Sequence, residues 1–235
     1  MSDGGLGLTA AMLCGGLGTR LRSVVSDRSK VMAEVGGRPF LSRLLDDLVA
    51  AGGRRVILCT GHQASSVQAT LGAVYGPLTL EYSKEETPLG TGGALAKASR
   101  LVDGELLAMN GDSYCGADLR ALVAQHRASG ALSTLAVCQV ADATAFGRVT
   151  LDENDRVLGF AEKGAGGPGW VNAGIYIVPS DWLRVVPTDR PMSLERELLP
   201  TWLPRGVGAV RIAGPLIDIG TPESYAAARQ AAAAY

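Results

Sequence analysis

Residues 12–30 read MLCGGLGTRLRSVVSDRSK, a stretch in which three glycines precede three arginines and a lysine. A backbone stripped of side chains lets a ligand reach the amide N–H groups, and fixed positive charge behind it favours an anion rich in oxygen. Phosphate is the commonest such anion. The apolar run Leu8 to Cys14 has the character of a buried strand opening into a loop, the general arrangement of a phosphate site. Three kinds of loop compete for the pattern. The P-loop string G-x-x-x-x-G-K-[ST] does not occur in the chain. The dinucleotide string G-x-G-x-x-G would begin at Gly16 and Gly18 but meets Leu21 where its third glycine belongs. The third is G-G-x-G-T-R-L, in which Arg20 follows the turn directly and can fork onto phosphate oxygens as they shed charge in a transition state. Two carboxylates end later apolar runs, Asp112 in ELLAMNGD and Asp218 in LIDIG. Open α/β sheets place their ligands at such strand ends.

The rest of the composition narrows the partners. The chain has 235 residues, 47% of them hydrophobic, enough for a substantial core. Lys and Arg (22) nearly balance Asp and Glu (23), for a net charge of −1. Nucleic acid or an acidic membrane surface would call for a basic excess, so any phosphate site must be local. Cys14, Cys59, Cys115 and Cys138 lie far apart without a CxxC pair, which reads as free thiols in a reducing cytoplasm. The N-terminus carries an acid and no basic region, and no apolar run reaches the roughly 18 residues of a membrane span. His62 and His126 have neither metal nor triad spacing.

These groups need a scaffold, and the hydrophobic pattern supplies one. RVILCT and LTLEYS read as further buried strands, and Phe40, Leu41, Leu44, Leu45, Leu48 and Val49 repeat at helical spacing up to Gly52-Gly53. Helices are expected from Gly93 to Leu101 and from Leu119 to Ser129, with strands at ELLAMNGD, LSTLAVCQV and WVNAGIYIV. GRVTLDENDRVLGFAEK reads as two strands around a polar turn at Glu153-Asn154-Asp155. Ser193 can cap a short helix ending near Leu199, and Thr221-Pro222 opens a final one. Alternating strands and helices imply an α/β fold with a mostly parallel sheet covered on both faces, and the hairpin implies a small antiparallel insertion. With no linker or repeat, one domain over residues 1–235 is expected.

GGLGTRL followed by Lys30 resembles the signature GGxGTRLxPLT…PKP of the sugar-1-phosphate nucleotidylyltransferases. PLGTGGAL (88–95), NGD (110–112), EK…VNAGIYI (162–177) and DIGTPESY (218–225) match the same family in order, so the likeness spans nearly the whole chain. Ser29 and Val31 depart from it, standing where the family usually has the prolines beside the lysine. Loss of those rings removes a source of stiffness from the loop that carries Lys30. Within the family, GGLGTRLRSVVSD and PLGTGGA look like the branch that makes GDP-heptose from D-glycero-α-D-manno-heptose 1-phosphate. Mannose-1-phosphate guanylyltransferases and amino-sugar uridylyltransferases share much of the pattern.

The resemblance implies a Rossmann-like three-layer α/β/α domain that transfers GMP from GTP to the heptose phosphate and releases pyrophosphate, for surface polysaccharide synthesis. It makes Asp112 and Asp218 the ligands of Mg²⁺, a cation suited to carboxylate and phosphate oxygens. Arg20 and Lys30 would hold the triphosphate, beside Leu13, Gly15, Gly16, Gly18 and Thr19 of the loop. Pro88, Gly90 and Thr91 would lie along the base. Lys163 would take the sugar phosphate, Glu162 and Asn172 would meet sugar hydroxyls, and Gly147 would let the ring approach the backbone. The partners implied are GTP and a sugar 1-phosphate, with a homodimer left open. A glycosyltransferase using nucleotide sugars is the rival of a different class, but it usually carries Asp-x-Asp, where NGDSY offers one aspartate.

Overall fold

The computed structural model describes residues 5–16, 18–61, 63–161, 164 and 166–231. Its centre is the strand β1 (Thr9–Leu13), which leads to the short hairpin β2 (Glu34–Val35) and β3 (Arg38–Pro39) and to helix α1 (Phe40–Ala50). Then come β4 (Arg55–Thr60), α2 (Ala64–Leu71), β5 (Val74–Tyr75), β6 (Leu78–Lys84) and α3 (Gly90–Ser99). Next are β7 (Glu105–Asn110), β8 (Ser113–Tyr114), α4 (Leu119–Ser129), β9 (Ser133–Val140), and the hairpin β10 (Arg148–Leu151) and β11 (Val157–Ala161). The chain closes with β12 (Gly169–Pro179), α5 (Ser180–Arg184), a π turn (Leu194–Leu198), α6 (Leu199–Trp202), β13 (Val207–Ile212), β14 (Ile217–Asp218) and α7 (Pro222–Ala231).

Ten strands form one sheet, parallel from β6 through β4 and β1 to β7. The expected antiparallel insertion is the β10–β11 hairpin, but β12 is antiparallel as well and reaches the middle of the sheet. It runs antiparallel between β7 and β9, with Ile175 opposite Met109 and Ile177 opposite Thr134. Beyond β9, β13 resumes parallel pairing.

Side chains alternate across the sheet, as period-2 geometry requires. Met12, Leu58 and Met109 face one core with α1, α4 and α7, represented by Leu41, Leu122 and Ala228. Ala11, Ile57 and Ala108 face a second core with α3 and α5, represented by Leu95 and Leu183. Three layers follow from that alternation. Strands buried on both faces read as continuous apolar runs, which is why RVILCT and ELLAMN are legible as strands.

Local signals place the turns. Asp155 takes φ +58° between β10 and β11, and the Asp118 side chain caps α4 through the amide of Ala121 at 3.0 Å. Ser193 Oγ accepts from the amide of Arg196 at 3.2 Å, so the expected cap is present, on a π turn that continues into α6. α3 begins at Gly90, three residues before the expected Gly93. α2, α5 and β13 escape the hydrophobic pattern; α2 buries only Ala64 and Val67. The four cysteines are free and buried. His126 is buried between Thr134 Oγ1 and Glu105 Oε1, each at 2.7 Å, a structural position. His62 lies outside the described residues, and among those described no helix is long and apolar enough to cross a membrane.

Asp47, on α1, shows the cost of placing a carboxyl against this core. Burial, with the charge of Asp46 adding to it, pushes its pKa from 3.8 to about 6. A raised carboxyl pKa costs stability once the group ionises in the folded state, and the cost vanishes where both states are protonated. Asp47→Asn is therefore expected to raise the urea midpoint at pH 8. Its advantage should shrink between about pH 6 and pH 4 and be gone below that, as followed by urea titrations across pH.

Candidate active site

The carboxyl ends of β1, β4, β6 and β7 lie side by side, and the glycine loop, Lys30 and Asp112 leave from them or from loops packed on them, while Asp218 arrives on β14. After β1 the chain crosses to β4, with the amide of Cys14 donating to the carbonyl of Cys59 at 2.8 Å. The amide of Gly111 donates to the carbonyl of Leu13 at 3.0 Å, which joins the glycine loop to the NGD turn. Gly16 has open space around its α-carbon, and Gly18 bends back to accept from the amide of Leu21 at 2.9 Å. Leu21 is buried and anchors the turn, while Thr19 and Arg20 are exposed. A cavity of about 350 Å³ opens there, lined by Gly16, Gly18, Arg22, Ser29, Lys30 and Gln63 among others.

Lys30 pairs with Asp112 through Nζ and Oδ2, both side chains being mostly buried. The missing prolines are compensated by packing. Met32 donates to the carbonyl of Ser29 at 2.8 Å and Ala33 to that of Lys30 at 3.0 Å, giving one 3-10 turn. Val31 and Met32 are buried beneath it, and Val31 Cγ1 lies 3.1 Å from where a Cβ on Gly111 would stand. Lys30 is held by a buried hydrophobic neighbour instead of a ring.

Asp218 reaches the same place from β14, which pairs antiparallel with β8 so that Asp218 faces Ser113. Ile219 donates its amide to the carbonyl of Asp112 at 3.0 Å. Ser113 Oγ lies 3.5 Å from both Asp112 Oδ1 and Asp218 Oδ2. Burial and then the charge of Asp112 push the Asp218 carboxyl above the usual range, against the pull of the Gly220 amide, Lys30 and Arg20. Two carboxylates held together against one ammonium leave a net negative cradle of hard oxygen donors. That set suits a divalent cation that keeps waters and takes its remaining ligands from a phosphate. Among the described residues no group of three His, Cys, Asp or Glu side chains could hold a metal alone.

The PLGTGG turn lies at the end of β6. Gly90 takes φ +69°, and a Cβ there would stand 2.4 Å from the carbonyl oxygen of Met192, so only glycine fits. Leu89 accepts from the amide of Met192 and Gly92 donates to its carbonyl, both at 2.8 Å, pinning Pro88–Thr91 to the loop before the π turn. Glu85, absent from the sequence-based site, fills the gap between this turn and the glycine loop. Its Oε2 accepts from the amide of Leu89 at 2.8 Å, and its Oε1 lies 2.7 Å from where a Cβ on Gly15 would stand. Burial raises its pKa, opposed by the Leu89 amide and Lys97. The one available signal was an acid placed between a strand and a glycine-rich helix start.

Asn172 and Gly147 lie on the antiparallel side. The register of β12 against β9 shifts between Asn172 and Tyr176, and Gly174 sits in that irregularity at φ +77°. A Cβ on Gly174 would stand 2.8–3.0 Å from Asn110 side-chain atoms, so NAG and NGD pack directly on each other. Gly147 precedes β10, where Arg148 pairs with Ala161, and a Cβ on Gly147 would stand 3.2 Å from the Ala161 carbonyl oxygen. Glu162 and Lys163 lie outside the described residues. Glu195 and Tyr176 were also missed by sequence reasoning, which offered no signal for them; both join the polar chain that ends at Asn172.

With this geometry in view, the likenesses to known proteins are consistent. The family model "Nucleotidyl transferase" matches residues 9–234. Mannose-1-phosphate guanylyltransferase of Mycobacterium tuberculosis is 40% identical over 223 residues, covering 92% of this chain and 62% of that protein. The chain thus spans less than two thirds of that relative. D-glycero-α-D-manno-heptose 1-phosphate guanylyltransferase of Campylobacter jejuni is 33% identical, with 93% of this chain and 97% of that protein covered. The crystal structure of HddC from Yersinia pseudotuberculosis complexed with GMP-PN superposes with a TM-score of 0.83 at 31% identity, over 95% of this chain and 98% of that one.

Gly174→Ala tests whether NAG and NGD must touch. A left-handed φ and a Cβ against Asn110 together should cost roughly 2–4 kcal/mol, lowering the urea midpoint. A conservative control, Gly159→Ala, has nothing within 4 Å of the new methyl and should cost far less.

Proposed function

The chain belongs to the nucleotidyl transferase family, and we propose that it transfers GMP from GTP to D-glycero-α-D-manno-heptose 1-phosphate, giving GDP-heptose and pyrophosphate. The observation that carries the reading is the convergence of Lys30, Asp112 and Asp218 beside an open glycine loop, with Arg20 close enough to act on Asp218. An oxygen of the sugar phosphate attacks the α-phosphorus in line. The new P–O bond forms as the bond to the β-phosphate bridge breaks, and the electron pair leaves with pyrophosphate. The attacking oxygen is already anionic, so no base or covalent nucleophile is needed. Two polyanions must instead be screened and aligned.

Each residue has a place in that task. Amides of the loop at Gly15, Gly16, Gly18 and Thr19 face the triphosphate after Leu13, and Arg20 and Lys30 offset charge at the α-phosphoryl group. Asp112 and Asp218 would hold Mg²⁺, which supplies screening of the phosphate oxygens. Lys163 takes the sugar phosphate, Glu162 and Asn172 meet its hydroxyls, and Gly147 admits the ring. Pro88, Gly90 and Thr91 line the base. Guanine presents N–H donors at N1 and N2, and the Glu85 carboxylate, between the base turn and Gly15, is the acceptor they call for. The buried free thiols support work in a reducing cytoplasm.

Mannose 1-phosphate is the second reading, favoured by the 40% identity to the mycobacterial relative. It lacks one CH(OH) of the heptose, a difference typically worth about 1–3 kcal/mol in a pocket. The heptose is preferred because RLRSVVSD replaces the common RLxPLT and because the Campylobacter relative matches over nearly its full length.

Pyrophosphate release across four NTPs and a panel of sugar 1-phosphates tests the pair. GTP with the heptose phosphate should be fastest and mannose 1-phosphate slower by about 5- to 150-fold. Activity confined to glucose 1-phosphate with UTP or dTTP would overturn the branch. Asp112→Asn should lower kcat by about two orders of magnitude or more, and EDTA should abolish turnover reversibly with Mg²⁺. Separately, Glu85→Gln should lower kcat/KM for GTP by about 10- to 100-fold and narrow its margin over ATP, since an amide both donates and accepts.

A further inference from the structure

Glu195 sits on the π turn, away from the phosphate-binding groups, yet its carboxylate joins both ends of the site. Oε2 accepts from Thr91 Oγ1 at 2.8 Å and from Ser193 Oγ at 3.3 Å. Oε1 accepts from the hydroxyl of Tyr176 at 3.1 Å. That hydroxyl accepts from Asn172 Nδ2 at 2.6 Å, and Asn172 Oδ1 accepts from the amide of Gly174 at 2.8 Å. On the other side Thr91 Oγ1 accepts from the amide of Leu194 at 2.8 Å.

A carboxylate can only accept and a backbone N–H can only donate, and together these fix the direction of every bond in the chain. Tyr176 must donate to Glu195, so its remaining capacity is to accept, and only the NH₂ of Asn172 can satisfy it. The amide of Asn172 is held one way round from both ends, its oxygen by the Gly174 N–H and its NH₂ by Tyr176, with one N–H left for a ligand. Thr91 must likewise donate to Glu195 and accept from Leu194, which locks the first turn of α3. Tyr176 is buried, and burial with the nearby Glu195 charge keeps its phenol protonated, the form that donates. Buried polar chains of this kind order their members when fully satisfied and lose that order when one link is cut.

We propose that Glu195 is a positioning residue that sets the sugar-facing amide of Asn172 and the nucleotide-facing turn at Thr91 in one fixed relation. The proposal rests on the sugar and nucleotide roles assigned above to Asn172 and Thr91. Through it, the sugar phosphate and the triphosphate are presented to each other at a constant separation, as in-line transfer demands. Glu195 touches neither substrate.

The test uses the full chain with Tyr176→Phe, Thr91→Val, Glu195→Gln and the Tyr176→Phe/Glu195→Gln double variant. KM for mannose 1-phosphate and for GTP, kcat, and amide exchange at Gly174 and Leu194 are measured. Tyr176→Phe is expected to raise the sugar-phosphate KM about tenfold with the GTP KM within about twofold, and Thr91→Val the reverse. Glu195→Gln should raise both and speed exchange at both amides about tenfold. Adding Tyr176→Phe to Glu195→Gln should change the sugar KM by less than about twofold, because the link is already broken. Multiplying effects, a Tyr176→Phe defect spread equally over both substrates, or unchanged exchange at either amide would overturn the proposal. If Glu195→Gln does not fold, the opposite KM shifts of Tyr176→Phe and Thr91→Val, with exchange in each, decide it. A wild-type chain without turnover would count against the functional reading alone, since the exchange rates still report whether Glu195 holds both ends.

Discussion

The ion pair between Lys30 and Asp112 joins two segments that the sheet alone does not hold together. Lys30 ends the long loop after β1, and Asp112 ends the turn after β7. Both side chains are mostly withdrawn from solvent, where a charge-assisted contact contributes about 1–3 kcal/mol and breaking one partner costs more than it seems. The pair also confines positive charge to the place where negative charge must collect. Asp218 brings a second carboxylate beside it through β14; burial and then the charge of Asp112 disfavour its ionised form, and the Gly220 amide, Lys30 and Arg20 pull the other way without cancelling them. Remove the ammonium and two carboxylates would share a desolvated corner with the Ser113 hydroxyl, 3.5 Å from each, between them.

Around that pair the sheet works as a register. β1, β4 and β7 run parallel, so their carboxyl ends finish at one level, and the glycine loop and the NGD turn meet without long connections. β12 enters in the opposite direction and contributes its irregular middle at the same level, with Gly174 against Asn110. One edge of the sheet therefore carries parallel-strand ends on one side and the irregular interior of an antiparallel strand on the other.

Stiffness in this site comes from packing more than from ring constraints. Ser29 and Val31 replace the prolines that flank the lysine elsewhere in the family, and the loop is held by a 3-10 turn whose Val31 is buried on Gly111. The base turn is held similarly, by the backbone of Met192 closing on Leu89, Gly90 and Gly92. Glycines recur at these points because backbone has to touch backbone, and a single methyl would separate the layers.

Much of the scaffold was legible in the sequence because its causes are local. Strands buried on both faces are continuous apolar runs, α1 carries helical spacing with a clear stop at Gly52-Gly53, and Asp155 and Ser193 mark their turns by chemistry that acts within four residues. The glycine loop was legible for the same reason, as a short string with a phosphate rationale, whereas the roles of Lys30, NGD and DIG entered through the family resemblance. α2 and α5 were not legible, since their burial is set by partners distant in sequence. Tyr176 and Glu195 were invisible too, and Glu85 carried only the faint signal of its place before a glycine-rich helix start: each acts on residues brought near by other strands, Glu85 on Gly15 and Glu195 on Thr91 and Tyr176. The sequence by itself determined which residue types could meet phosphate. Only the tertiary structure decided which acceptors face them, because hydrogen-bond direction and like-charge proximity are properties of groups that folding brings together.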